Sequence, residues 1–371
     1  MKRQRTRRIL CAFLLCLLLA APAWAAGTQG VVEAQSESLD LGGLQNAAGE
    51  YAGGIDLTPD LSLDQGIQRI LDTGSGQING VIRKAVRSAV LLLTIVLLCG
   101  LADGLCDGLG KSSVDVVAVA GALAITAVAV SDVHSLIGMG RDALDNMEMF
   151  SKVLLPTVTA AAAASGSPGG AVARQLATML FSDVLMTLIS RLLIPLVYAY
   201  IAACTAHAAL GNEGLKRLGG VLKWVVTSVL TTVLLIFVGY LTVSGVIAGT
   251  TDAVTVKAAK FTVSSVVPVV GGILSDAAET VLAGASILRN AVGVFGMLAV
   301  LGMCVAPFLQ LGIHYLAYKL TAALTATVSG GRVAGLIDCI GGAFGLVLGM
   351  TGASALLLLI SMVSAISVVT I

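Results

Sequence analysis

The sequence predicts an all-α, polytopic integral membrane protein with six to eight transmembrane helices and interfacial amphipathic helices. Three observations carry that expectation. The 371 residues are 57% hydrophobic and 12% charged, with a mean hydropathy of +0.97, which is more apolar surface than one soluble core can bury. A soluble globular enzyme is thereby excluded. Apolar runs long enough for membrane helices recur along most of the chain. Aromatics make up only 4% of residues, against 43 glycines, and small residues suit close helix packing in lipid.

The first element is a targeting segment. Residues 1–25 hold Lys2, Arg3, Arg5, Arg7 and Arg8, then an apolar run from Ile9 to Ala21, then Ala23-Trp24-Ala25. This order predicts a cleaved signal peptide with its cut before Ala26. An uncleaved anchor is the alternative, but a run of about 13 apolar residues is short for a span of about 20. Those five basic residues are part of a total of 22 against 21 acidic ones, so the remainder is slightly acidic and offers no footing for nucleic acid.

From Ala26 to about Lys84 the chain is expected to form an acidic, loosely ordered extracytoplasmic segment. Glu33, Glu37, Asp40, Glu50, Asp56, Asp60, Asp64 and Asp72 face only Arg69 as a cation up to Ile82, and so polar a stretch holds little core. Leu63, Ile67, Ile70 and Leu71 have helical spacing, and Thr73-Gly74-Ser75-Gly76 reads as a break.

Residues 85–371 form the polytopic domain. Six spans are expected at about 88–102, 114–131, 192–210, 224–248, 291–313 and 345–371. Two further stretches, 153–164 and 175–190, form either an extra hairpin or a re-entrant element, the first being cut short by Ser165-Gly166-Ser167-Pro168-Gly169-Gly170. Residues 132–152 alternate apolar Val133, Leu136, Ile137, Leu144, Met147 and Phe150 with Asp132, Arg141, Asp142, Asp145 and Glu148, the pattern of an interfacial amphipathic helix. Residues 251–292 read as two amphipathic pieces around a Pro268 and Gly271-Gly272 break, lying on or dipping into the membrane. Orientation stays open. Arg83, Lys84 and Arg87 crowd the outer end of the first span, while Lys216, Arg217 and Lys223 mark an inner connection and Lys257, Lys260 and Arg289 the next one.

That last segment, TDAVTVKAAKFTVSSVVPVVGGILSDAAETVLAGASILRN, together with SDVLMTLISRLLIPLVYAYIA over Ser182–Ala202, resembles the stage III sporulation protein AE family of endospore formers. The likeness covers residues 80–371. It implies a channel or scaffold subunit in the mother-cell membrane around the forespore, within a secretion-like complex. Implied partners are the other stage III sporulation A subunits, an ATPase subunit and a forespore membrane partner. From another class of function, a stand-alone secondary transporter for a small solute is the alternative, which an internal repeat and a midplane site on broken helices would favour.

Motifs for chemistry are scarce. The sequence has no H-E-x-x-H, G-x-S-x-G or P-loop, and His134, His207 and His314 are far apart, so no catalytic site, cofactor or metal is expected. Gly138-Met139-Gly140-Arg141-Asp142 approaches an intramembrane aspartyl pattern but has Arg where an acid is required. The five cysteines beyond the signal segment form no C-x-x-C or Cys/His cluster, which indicates neither a disulfide framework nor zinc.

Two kinds of candidate site remain. Asp183, Thr187 and Arg191 recur at i, i+4 and i+8; they line a polar seam or pore, or Arg191 snorkels and Asp183 sits at an interface. Asp338 is equally ambiguous, since it could belong to the connection before the last span. Gly341, Gly345 and Gly349 form a tandem G-x-x-x-G, and Gly245 with Gly249 repeats the motif; both are candidate helix-packing faces, within the subunit or toward a partner.

Overall fold

The computed structural model describes residues 41–51, 62–106, 116–164, 168–266, 271–327 and 331–367. The signal segment 1–25, the acidic stretch outside 41–51 up to Leu61, and Pro268 lie outside the described residues. We number the helices α1 (Leu41–Tyr51), α2 (Leu63–Cys106), α3 (Val116–Ala164), α4 (Pro168–Leu188), α5 (Ile194–Leu210), α6 (Glu213–Val266), α7 (Gly271–Thr325) and α8 (Gly331–Ser367), with a π-helical turn at Ile189–Leu193 between α4 and α5. No strand occurs among the described residues. Six helical stretches are long and apolar enough to cross a membrane, and the six expected spans fall one in each.

The sequence pattern suggested more boundaries than the helices have. Spans 114–131 and 153–164 and the amphipathic piece 132–152 belong to the single 49-residue α3. At 1.5 Å per residue that helix is about 74 Å long, against a hydrocarbon core of about 30 Å. Its amphipathic middle buries Leu136, Ile137, Leu144, Met147 and Phe150 within the protein, so that apolar face is covered by neighbouring helices. The two amphipathic pieces of 251–292 are likewise the ends of α6 and α7, and the expected break falls between Val266 and Gly271.

Nor does Thr73-Gly74-Ser75-Gly76 interrupt α2. The Thr73 hydroxyl donates to the Arg69 carbonyl and the Ser75 hydroxyl to the Asp72 carbonyl, each at 2.8 Å, so both side chains bond back into the helix. Gly74 sits where α2 approaches α7: a Cβ there would lie 3.1 Å from Val305 Cγ1 and 3.3 Å from Leu309 Cδ1. The glycine that reads as a breaker is a contact point.

Stretch 175–190 joins 192–210 through the π turn. Ile194 N–H donates to the Ile189 carbonyl, an i to i−5 bond, and Pro195, the next residue, has no N–H to continue the ladder. This insertion lets the helix pass the proline without ending. By contrast, Gly211 ends α5 with φ of +67°, a left-handed conformation that favours glycine. Its N–H caps the His207 carbonyl at 2.8 Å, and Asn212 Oδ1 accepts the Gly214 N–H at 2.8 Å to start α6.

A single core runs through the bundle, centred on α7 and α8. Over the most apolar window of each span, 61% of α7 and 56% of α8 is buried inside the chain, against 17% of α2 and 11% of α6. The apolar flanks of α2 and α6 therefore face lipid or other subunits. At one end of the bundle the C-terminus of α2 meets the N-terminus of α3, where Cys99 Sγ lies 2.8 Å from a Cβ built on Gly121. At this end Thr126 of α3 also meets Thr205 of α5 at 3.4 Å, and Arg332 of α8 lies against Gly211. Successive spans thus alternate in direction, while α2 runs parallel to α7 and α3 to α8.

Within the acidic stretch, α1 buries Leu44, Ala47 and Ala48 against the long helices. Arg289, which the sequence pattern assigns to a connection, lies on α7 and is 1% exposed.

Candidate functional site

Ionisable side chains at membrane depth cost about 2.5–3.5 kcal/mol on insertion scales, so their positions mark where a membrane helix bundle departs from plain packing. Such groups meet where α3, α5, α7 and α8 converge. The Tyr318 side chain of α7, fully buried, donates its hydroxyl to Asp132 Oδ2 of α3 at 2.8 Å. Its ring stands edge-on to Phe344 of α8, with centroids 5.1 Å apart and planes at 87°, the electrostatically preferred arrangement.

The next residue faces a different helix. Lys319 Nζ donates to Asp338 Oδ1 at 2.6 Å, with the two side chains 30% and 51% exposed. A pair this open to its surroundings screens weakly in lipid and strongly in water. Asp338 is a residue of α8, seven positions past its first residue Gly331, rather than part of a connection.

One residue beyond Asp338, Cys339 is half-buried on α8, while Tyr200 and Cys204 are buried on α5. The Tyr200 hydroxyl lies 3.1 Å from a Cβ built on Gly342. Asp132–Tyr318 and Lys319–Asp338 therefore form one polar seam across α3, α7 and α8, linked through the adjacent residues Tyr318 and Lys319.

Glycine makes the seam's geometry possible. A Cβ on Gly341 would sit 3.0 Å from Tyr318 Cβ, 3.5 Å from the Lys319 backbone nitrogen and 3.6 Å from the Tyr315 carbonyl oxygen. Backbone meets backbone here. Gly345 faces the Tyr315 ring, with Cδ2 and Cε2 both 3.0 Å from its Cβ position, whereas Gly349 is exposed and meets only Leu230 Cδ2 of α6 at 3.7 Å. The first two tandem glycines thus pack within the subunit. Gly245 and Gly249 lie on the backbone of α6, and their surroundings lie outside the described residues.

Asp183, Thr187 and Arg191 are placed elsewhere, all three exposed. Asp183 lines a small cleft with Glu148, Ser151, Lys152 and Ser182, where Lys152 Nζ bonds Glu148 Oε1 at 2.7 Å. Arg191 falls in the π turn. Sequence reasoning passed over Asp132, Tyr318 and Lys319. The available signal was a Lys and an Asp on either side of the connection between α7 and α8, each within one of the two helices it joins.

The seam brings together a carboxylate held by a phenol and an ion pair. Among the described residues no group of three or more His, Cys, Asp or Glu side chains comes together as a metal cage. A lateral cleft of about 700 Å³ opens between α3 and α5, lined by Leu123, Thr126, Val133, His134, Tyr198 and Thr205 among others.

With this arrangement in view, the chain can be set beside known proteins. No solved structure matches it. The stage III sporulation protein AE of Bacillus subtilis strain 168 is 29% identical over 214 residues, which are 57% of this chain and 53% of that protein; the match spans about half of the relative's length. The family profile described as stage III sporulation protein AE matches residues 59–369, a region that takes in all six apolar helices and the whole seam. This multi-pass helical membrane protein belongs to the stage III sporulation protein AE family.

Proposed function

We propose that the chain is a non-enzymatic channel or scaffold subunit of the complex that connects mother cell and forespore during endospore development. Membership of the sporulation family over residues 59–369 carries this reading. The lightly covered flanks of α2 and α6 support it, because they provide apolar surface for lipid and for neighbouring subunits. In this role the chain sits in the mother-cell membrane around the forespore. It assembles with other stage III sporulation A subunits, takes energy from an ATPase subunit and meets a forespore membrane partner.

Within such a subunit, the seam holds α7 and α8 in register with α3. Lys319 and Asp338, half open at the bundle surface, give that face a polar spot that a neighbouring subunit can recognise. The test is genetic. Deleting the gene arrests forespores after engulfment, and the intact chain restores spore formation; normal spores from the deletion strain contradict the proposal.

A further inference from the structure

The lateral cleft between α3 and α5 is a hollow that packing within the chain leaves open. Small side chains, Ala129 on α3 and Ala202, Ala206 and Ala209 on α5, line it, and the buried Ile340 of α8 lies at its floor. Leu123, Val130 and Leu210 on its rim are exposed, so it opens sideways, toward lipid. Along α5 it runs from Leu210 to Tyr198, about 18 Å at 1.5 Å per residue. One leaflet of hydrocarbon is about 15 Å deep, half of a core of about 30 Å.

Cross-section selects the occupant. A volume of about 700 Å³ spread over about 18 Å gives a mean section of about 40 Å². A helix about 10 Å across needs about 80 Å². An extended acyl chain, whose carbons pack about 4 Å from their neighbours, needs only about 16–20 Å², so the cleft holds the two tails of one lipid.

Polar groups stand at matching depths. Leu210 ends α5, and the exposed Arg332 of α8 lies against Gly211, the next residue, with Nη1 2.8 Å from its Cβ position. A guanidinium at the mouth suits a phosphate. Five residues further in, about 8 Å deep, Thr126 Oγ1 donates to the Ala122 carbonyl at 2.7 Å and lies 3.4 Å from Thr205 Oγ1. That second contact is long for two hydroxyls, which leaves the Thr205 proton for an acceptor inside the cleft. The headgroup layer is about 5–8 Å thick on each side of the hydrocarbon, so the ester carbonyls of a lipid reach this depth.

We propose that the cleft is a binding site for one anionic phospholipid, with its phosphate on Arg332, an ester carbonyl on Thr205 and its tails between α3 and α5. Val133, the neighbour of Asp132, lines the same cleft, so the bound lipid supports α3 where the seam is anchored. This site stands independently of the role in sporulation.

The test uses the full chain in non-ionic detergent with phosphatidylglycerol that carries a photoreactive diazirine in one tail. After irradiation, labelled peptides are mapped by mass spectrometry. The expected result is label concentrated on the peptides holding Leu123–His134 and Tyr198–Leu210, above that on the exposed flank of α2. Unlabelled phosphatidylglycerol displaces it at about fivefold lower concentration than phosphatidylcholine, the weight of one basic group. Arg332→Gln abolishes that preference, and Ala206→Trp, which fills the cleft, removes the label there and leaves that on α2. Label spread over α2 and α6 according to their exposure overturns the proposal, as does equal displacement by phosphatidylcholine. Cleft label that is present in the purified chain but absent in native membranes also overturns it, and assigns the cleft to a partner helix. The displacement is read on the unsubstituted chain, so a folding defect in either variant does not obscure it.

Discussion

Replacing Gly341 by Leu tests whether backbone contact between α7 and α8 holds the bundle together. A single Cβ at this position already comes to 3.0 Å from Tyr318 Cβ, with backbone atoms of Lys319 and Tyr315 at 3.5 and 3.6 Å. None of these can swing aside as a side-chain tip can. Leucine adds three more carbons in the same direction, so the helices must separate, which loosens Tyr318 from Asp132 and Lys319 from Asp338. Overpacking costs about 1–3 kcal/mol, and an obstacle made of backbone puts this variant near about 3 kcal/mol, more than a hundredfold in the folding equilibrium. Two neighbours on the same helix grade the effect. At Gly345 the obstacle is the Tyr315 ring, which can turn, so Gly345→Leu costs about 1–2 kcal/mol. Gly349 is exposed with one ordinary contact to Leu230, so Gly349→Leu changes stability by about 0.5 kcal/mol or less. The assay is equilibrium unfolding of the purified variants in mixed detergent, followed by circular dichroism. Equal stability of Gly341→Leu and Gly349→Leu would refute the reasoning.

Three further outcomes follow from the same geometry. Gly211→Ala puts a side chain on a residue with φ of +67° whose Cβ position is 2.8 Å from Arg332 Nη1; it costs about 1–2 kcal/mol from backbone strain alone, seen as a lower melting midpoint. Tyr318→Phe keeps the ring packing on Phe344 but leaves Asp132 without the phenol at 2.8 Å, a loss of about 1.5–3 kcal/mol in the same unfolding assay. For the Lys319–Asp338 pair at 2.6 Å, each single reversal, Lys319→Asp or Asp338→Lys, lowers the membrane level of the protein. The double reversal restores it, and a double-mutant cycle yields about 0.5–1 kcal/mol of coupling because both side chains are partly exposed.

Much of the fold was legible in the sequence because lipid imposes a simple rule: long apolar runs must be helices. The six runs proved to be six helices, and Gly211 announced the one tight turn between α5 and α6. What the pattern could not locate were helix ends. Glycine and serine at 73–76 carry the local signature of a break, yet Thr73 and Ser75 satisfy their hydroxyls within the helix and Gly74 is required by its contact with Val305. Tertiary packing overrode local preference there.

The candidate site divides along a similar line. The tandem glycines were visible because their spacing on one helix is itself the signal, and Gly341 does meet the backbone of α7. The Asp132–Tyr318 and Lys319–Asp338 pairs join different helices, so no spacing within one segment reveals them. Asp183, Thr187 and Arg191 show the converse: helical spacing put them on one face, but spacing does not say whether that face turns inward, and all three are exposed.

The central claim is that this chain works as one subunit among several, and affinity purification from sporulating membranes in mild detergent tests it most directly. The account predicts that the tagged chain brings down other stage III sporulation A subunits in fixed proportion, and that the pure chain in liposomes moves no solute unaided. A chain that purifies without those partners and by itself drives solute uptake into liposomes would contradict the account and establish a stand-alone transporter.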